Sequence, residues 1–102
     1  MVHNDDSVPL LLEIVSNPDE DLRLRQEAIN TLGKIGDPQA IPTLVDALED
    51  PEAGIRWRAA MALARIGDPS VIPAIEEALA QEKDTFVIEQ MEEALQRLSE
   101  TR

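Results

Sequence analysis

Between Ile55 and Ile66 apolar residues return every three or four positions, at Ile55, Ala59, Ala62, Leu63 and Ile66. At a helical turn of about 100° per residue they fall in one arc. Trp57, Arg58, Met61 and Arg65 fall in the opposite arc, and Ala60 and Ala64 between the two. The same spacing runs along the whole chain, and no segment alternates with period two, so the pattern predicts helices and no strand. Breaks rich in Asn, Asp, Pro and Gly ("NPDED", "EDPEAG") separate the periodic stretches. The predicted helices cover about 7–16, 21–35, 39–49, 54–66, 70–81 and 84–99. Asp37 and Asp68, each followed by a proline, read as N-caps, and Gly36 and Gly67 stand where a helix end takes a left-handed residue.

The helices come in pairs because the chain repeats itself. "KIGDPQAIP" (34–42) returns as "RIGDPSVIP" (65–73) after 31 residues, and the match extends both ways, "LRQEAINTLGKIGD" over "IRWRAAMALARIGD" and "AIPTLVDALEDP" over "VIPAIEEALAQE". A third copy is divided between the ends. Val8, Pro9 and Leu11 match Ile41, Pro42 and Leu44, and Ala94, Leu95 and Leu98 match Ala62, Leu63 and Ile66. Three units of about 31 residues, each a helix A followed by a helix B, predict an all-α solenoid of three helix pairs, six antiparallel helices in a single domain 1–102. The units run over about 4–36, 37–67 and 68–100.

The string "IRWRAAMALARIGDPSVIPAIEEAL" resembles the short HEAT-like repeats of the phycobilisome-lyase type, whose pattern runs Val/Ile, Arg, two variable residues, Ala, Ala, variable, Ala, Leu, Gly, variable, Ile, Gly, Asp. The resemblance implies that the variable positions of helix B line a concave surface that grips a protein partner. Those positions are Arg23, Gln26, Asn30 and Lys34 in the first unit, Trp57, Arg58, Met61 and Arg65 in the second, and Phe86, Glu89, Glu93 and Arg97 in the third. Leu22, Glu27, Ala53, Gly54, Thr85 and Gln90 share the strip. It further implies that Arg25 and Arg56 form an inter-repeat ladder with the acidic residues of the Gly-Asp turns, Asp37 and Asp68, and that Ile88 and Glu100 end that ladder in the last unit. It also raises a second function, a phycobilisome-associated factor or partial bilin-lyase-like subunit acting on phycobiliproteins.

Charge sharpens the strip. The chain carries 21 Asp and Glu against nine Lys and Arg, a net charge of −12. On the strip, however, Arg23, Lys34, Arg58, Arg65 and Arg97 face only Glu27, Glu89 and Glu93, beside the only Trp and the only Phe of the sequence. Aromatic and Met side chains flanked by Arg anchor protein interfaces, so the expectation is a groove centred on Trp57 and Met61; the bland alternative folds Trp57 back over its own helix as partial core. The acidic remainder repels nucleic acid and anionic membrane, leaving a protein as the expected partner.

Chemistry is thin. Without cysteine there is no disulfide framework or thiolate site, and with neither an export leader nor an apolar run long enough to span a bilayer the expected location is the cytoplasm. Glu76–Glu77 and Glu92–Glu93 are helix neighbours that point in different directions, not acid/base dyads. The lone His3 offers no metal site, and the paired His-Glu steps of HEAT-like hydroxylases do not occur. No catalytic residue, metal or cofactor is therefore expected.

The two ends read differently. Glu92 and Gln96 stand in the third unit where Ala60 and Ala64, or Ile29 and Gly33, stand in the others, as a terminal cap requires; Glu76 in place of Val45 follows the same logic. At the other end Leu10, Leu12 and Ile14 replace Thr43, Val45 and Ala47, so the first helix is apolar almost all round. Self-association as a homo-oligomer through these residues is one expectation; the others are that residues 1–7 fold over them or that larger side chains fill a wider gap.

Overall fold

The computed structural model describes residues 7–100 and forms six α-helices: α1 (Val8–Ser16), α2 (Leu22–Ile35), α3 (Ile41–Ala47), α4 (Ala53–Ile66), α5 (Ile72–Gln81) and α6 (Thr85–Glu100). No strand occurs among the described residues. The B helices make one row, α2 on α4 and α4 on α6, and the A helices α1, α3 and α5 each back their own B helix. This is the three-pair α-solenoid that the repeat predicts.

Local chemistry sets the boundaries. Gly36 and Gly67 end α2 and α4 with φ of 75° and 82°, the left-handed region where a Cβ is costly. Asp37 and Asp68 then accept from the backbone N–H of Gln39 and Ser70, both at 2.9 Å. The Ser70 N–H holds the Asp68 carboxyl below the usual carboxylate range. The prolines that follow open not the α-helix itself but a 3₁₀ turn, Pro38–Ala40 and Pro69–Val71, so α3 and α5 start at Ile41 and Ile72, later than the apolar spacing alone places them. Asp84 caps α6 through the N–H groups of Phe86 and Val87, and Asp21 caps α2 through that of Leu24.

The core runs through all three pairs, with Ile29, Leu32, Leu44, Ile55, Leu63, Ile75, Met91 and Leu98 fully buried. Of the predicted stripe on α4, Ile55, Ala59, Ala62 and Leu63 are buried and Ile66 is half-buried. Ala60 and Ala64, on the third face, are buried too, while Glu92 and Gln96 at the same places on α6 are exposed. Leu12 and Ile14 are half-buried against the core, and Leu10 stays exposed.

Close approach of the B helices depends on small residues. A Cβ on Gly33 would lie 3.1 Å from both Cα and Cβ of Ala62, so part of the obstacle is the backbone of the next repeat. Gly33→Val is therefore expected to force α2 and α4 apart and cost about 1–3 kcal/mol. At Gly54 the nearest obstacle is the flexible end of Gln26, so Gly54→Ala should stay within about 0.5 kcal/mol of the parent. Urea midpoints of the two variants check the contrast.

The arginine ladder exists, with partners other than those the resemblance implies. Arg25 donates from Nε and Nη2 to the Val15 carbonyl at 3.2 and 2.8 Å, and from Nη2 to Asp50 at 2.7 Å. Arg56 donates from Nη1 to the carbonyls of Asp50 and Pro51, and from Nε and Nη2 to the two Glu82 oxygens at 2.8 and 2.9 Å. Each arginine thus joins the carbonyl end of its own helix A to an acid at the end of the next. Asp37 and Asp68 are committed to their 3₁₀ turns and take no part. The acids do double duty, for Asp50 also accepts from the Glu52 N–H and Glu82 from those of Lys83 and Asp84, shaping the turn into helix B.

The bidentate hydrogen bond from Arg56, aided by the two backbone N–H groups, holds the Glu82 carboxyl below the ordinary glutamate range despite its burial. The same contact raises Arg56, which stays charged at every working pH. Folded protein therefore binds the Glu82 proton less tightly than unfolded protein. The stabilisation is complete above the unfolded value of about 4.3 and is lost as pH falls through the lower folded value. The difference in unfolding free energy between the parent and Glu82→Gln should be constant from neutral pH down to about 5 and shrink below about 4.3. Urea titrations of both proteins across that range test it.

Candidate functional site

The solvent side of the B row is made by the polar arc of each helix. Core residues fix the rotation of α2, α4 and α6, so the positions opposite them line up from repeat to repeat. A pocket of about 270 Å³ opens there, lined by Asn30, Lys34, Trp57, Arg58, Met61, Ala62, Arg65 and Gln90. Six of these are sequence-predicted strip residues, drawn from the first two repeats. Gln90, also on the strip, supplies the α6 wall. Ala62, predicted only as core, lines the pocket as well, because its small side chain leaves that part of the surface open.

Trp57 combines both sequence expectations. It is half-buried against the core, with Phe86 of the next repeat edge-on at 5.3 Å between ring centroids and the Arg58 guanidinium 4.3 Å over its ring. The indole is thus held by its own helix and by its neighbour while still lining the pocket. Stacking and cation–π contacts of this kind reduce the rotamer freedom that a partner would otherwise have to remove. Arg58 is held further by donation from Nη1 to the Gly54 carbonyl at 3.2 Å, and its Nε is shut off from solvent with no hydrogen-bond partner.

The remaining predicted residues lie outside the lining. Arg23 is exposed at the start of α2, and Gln26 lies over Gly54 between α2 and α4. Phe86, 49% exposed, reaches the site only through Trp57. Glu89 is exposed, and Glu93 pairs with Arg97 at 3.3 Å along α6. His3 lies outside the described residues.

Among the described residues no carboxylate lines the pocket. A larger opening of about 710 Å³ over the turns between α3 and α4 and between α5 and α6 is predominantly acidic, walled by Glu49, Asp50, Glu77, Glu82 and Asp84 together with Arg56 and Lys83. Its chemistry is spent internally: Asp50 and Glu82 hold the ladder, and Asp84 caps α6. Among the described residues no three His, Asp or Glu side chains are placed to hold a metal ion, and no helix is long and apolar enough to cross a membrane.

Comparison with known proteins bears on the fold. The family described as HEAT repeats matches residues 8–96. No curated protein sequence matches the chain. Among solved structures, epoxyqueuosine reductase bound to an epoxyqueuosine-modified tRNA-Tyr stem loop superposes with a TM-score of 0.72 at 34% identity over 74% of this chain. Human deoxyhypusine hydroxylase in complex with glycerol superposes with a TM-score of 0.68 at 24% identity over 93% of it, a likeness of fold. The chain spans 20% of the length of the reductase and 44% of that of the hydroxylase.

Proposed function

The chain belongs to the HEAT-repeat family, and we propose that it is a non-catalytic module that binds a partner protein on the exposed face of α2, α4 and α6. The observation that carries this reading is the pocket in which Asn30 and Lys34 of one repeat meet Trp57, Arg58, Met61 and Arg65 of the next. An aromatic anchor already fixed by Phe86 and Arg58, beside a Met and cations that form no ion pair among the described residues, has the composition of an interface centre. The lining offers an aromatic ring, a Met and cations, the groups by which a surface binds a partner.

Loss of such an anchor costs about 2 kcal/mol or more, roughly thirtyfold in affinity. The test is affinity purification from the source cells with the parent, Trp57→Ala and Lys34→Glu/Arg65→Glu, all three matched for helicity by circular dichroism. Partner retained equally by all three removes the reading. The phycobilisome-lyase likeness of the repeats supplies a competing occupant, a bilin-bearing surface. Retention of a shifted visible band after mixing with a bilin would move the proposal there.

A separate surface supports self-association. Leu10, Leu22 and Leu24 are 59%, 39% and 43% exposed at the first repeat, although Ile55 and Val87, which match Leu24, are buried. Sedimentation at micromolar concentration is expected to show a species larger than the monomer that Leu10→Glu dissociates.

A further inference from the structure

We infer that the pocket on the α2–α4–α6 face receives an acidic peptide segment, with a carboxylate taken among Lys34, Arg58 and Arg65 and an aliphatic side chain laid on Met61 and Trp57. This rests on the reading of that face as the binding surface and adds the chemistry of what it binds. The chain has more than twice as many carboxylates as cations, yet three cations and no carboxylate line this pocket. Elsewhere Arg25 pairs with Asp50, Arg56 with Glu82 and, on the exposed surface of α6, Arg97 with Glu93, while Arg23 and Lys83, which form no ion pair among the described residues, are exposed and lie outside this pocket. Among the described residues neither Lys34, Arg58 nor Arg65 forms an ion pair.

Arg58 is the most demanding of the three. Its guanidinium is held on the Trp57 ring and by the Gly54 carbonyl, half-buried, with a desolvated Nε that donates to nothing. A guanidinium fixed in place and partly removed from water gains more from a carboxylate than a freely solvated lysine does. Lys34 from α2 and Arg65 from two turns further along α4, both exposed, can close on the same group.

The surroundings decide between classes of anion. A nucleic acid engages through a run of phosphates and would meet the field of a chain with net charge −12 beyond the pocket. A peptide presents an isolated carboxylate beside apolar side chains, which matches about 270 Å³ of space with Met61, Ala62 and Trp57 in its wall.

The test is selection of displayed random dodecapeptides on the parent, on Trp57→Ala and on Lys34→Glu/Arg65→Glu, the last pair chosen because both side chains are exposed. The parent is expected to enrich peptides rich in Asp and Glu with interspersed apolar residues, and the double variant to lose them. A synthetic copy of an enriched peptide, followed by Trp57 fluorescence, should weaken roughly tenfold or more when its acids become Asn and Gln, and weaken further with salt. Enriched peptides with no acidic excess that still require Trp57 would overturn the acidic assignment and leave the binding face standing. Peptides indifferent to all the substitutions, or no enrichment, would overturn both. A short RNA stem loop that binds in a Lys34- and Arg65-dependent way while acidic peptides do not would overturn it in favour of nucleic acid.

Discussion

Asp50→Ala is expected to cost about 3–5 kcal/mol, a large share of the roughly 5–15 kcal/mol that holds a domain of this size. Arg25 and Asp50 are 7% and 10% exposed and meet at 2.7 Å, so both have left water. Removing the carboxylate strands a buried guanidinium with only the Val15 carbonyl, and also takes the acceptor from the Glu52 N–H. Asp50→Asn keeps one acceptor oxygen, enough for either Arg25 or the Glu52 N–H but not both, and should cost less than Asp50→Ala. Arg25→Met/Asp50→Leu, which removes both charges, should recover most of the loss, because a buried pair is costly to break and cheap to replace whole. Because the pair joins the first repeat to the second, Asp50→Ala should also lower the urea m-value as the first pair begins to open separately. Urea unfolding followed by circular dichroism reads both effects. Glu82→Ala should cost less, since Arg56 at 20% side-chain exposure can recover some hydration.

Leu63→Ala is expected to cost about 2–5 kcal/mol, the transfer of the lost methyl-bearing atoms plus the cavity they leave. Leu63 has no exposed surface and belongs to α4, the helix that packs against α2, α3 and α6 at once. Neighbours fixed from three directions cannot collapse into the space, which places the cost toward the upper end. Leu11→Ala, on the half-buried edge of α1, should cost visibly less. The loss at Leu63 should appear as a lower denaturant midpoint with an unchanged slope, because the cavity weakens both inter-repeat interfaces together. A normal midpoint for Leu63→Ala would mean that α4 is not the centre of the core.

The ladder shows where sequence reading stops short. Arg25 and Asp50 are 25 residues apart, Arg56 and Glu82 26, so in the alignment of the repeats the two acids fall one position out of register. The signal was present as an acid just past α3 and just past α5 and as the change of repeat spacing from 31 to 32 nearby. Asp37 and Asp68, repeated in strict register beside Gly36 and Gly67, were the more visible candidates. Their carboxylates instead serve the N–H groups two residues on, which a local reading also predicts. The pocket divides the same way. Its two-repeat lining from Asn30 to Arg65 follows from the helical rotation of each B helix, whereas the choice of Gln90 over Phe86, Glu89, Glu93 and Arg97 depends on how far α6 is displaced from α4.

The sequence by itself determined the six helices, their pairing into three repeats, the left-handed glycines at 36 and 67, the buried stripe around Leu63 and the polar finish at Glu92 and Gln96. These are consequences of a 3.6-residue period and of residues acting on their immediate neighbours along the chain. Only the tertiary structure decided which acid each ladder arginine reaches, that Trp57 stands half-buried between Arg58 and Phe86, and that Lys34, Arg58 and Arg65 share one pocket without a carboxylate. Periodicity fixes the direction in which a side chain leaves its helix. What it meets is set by the offset between adjacent repeats, a distance across the solenoid that no spacing along the chain encodes.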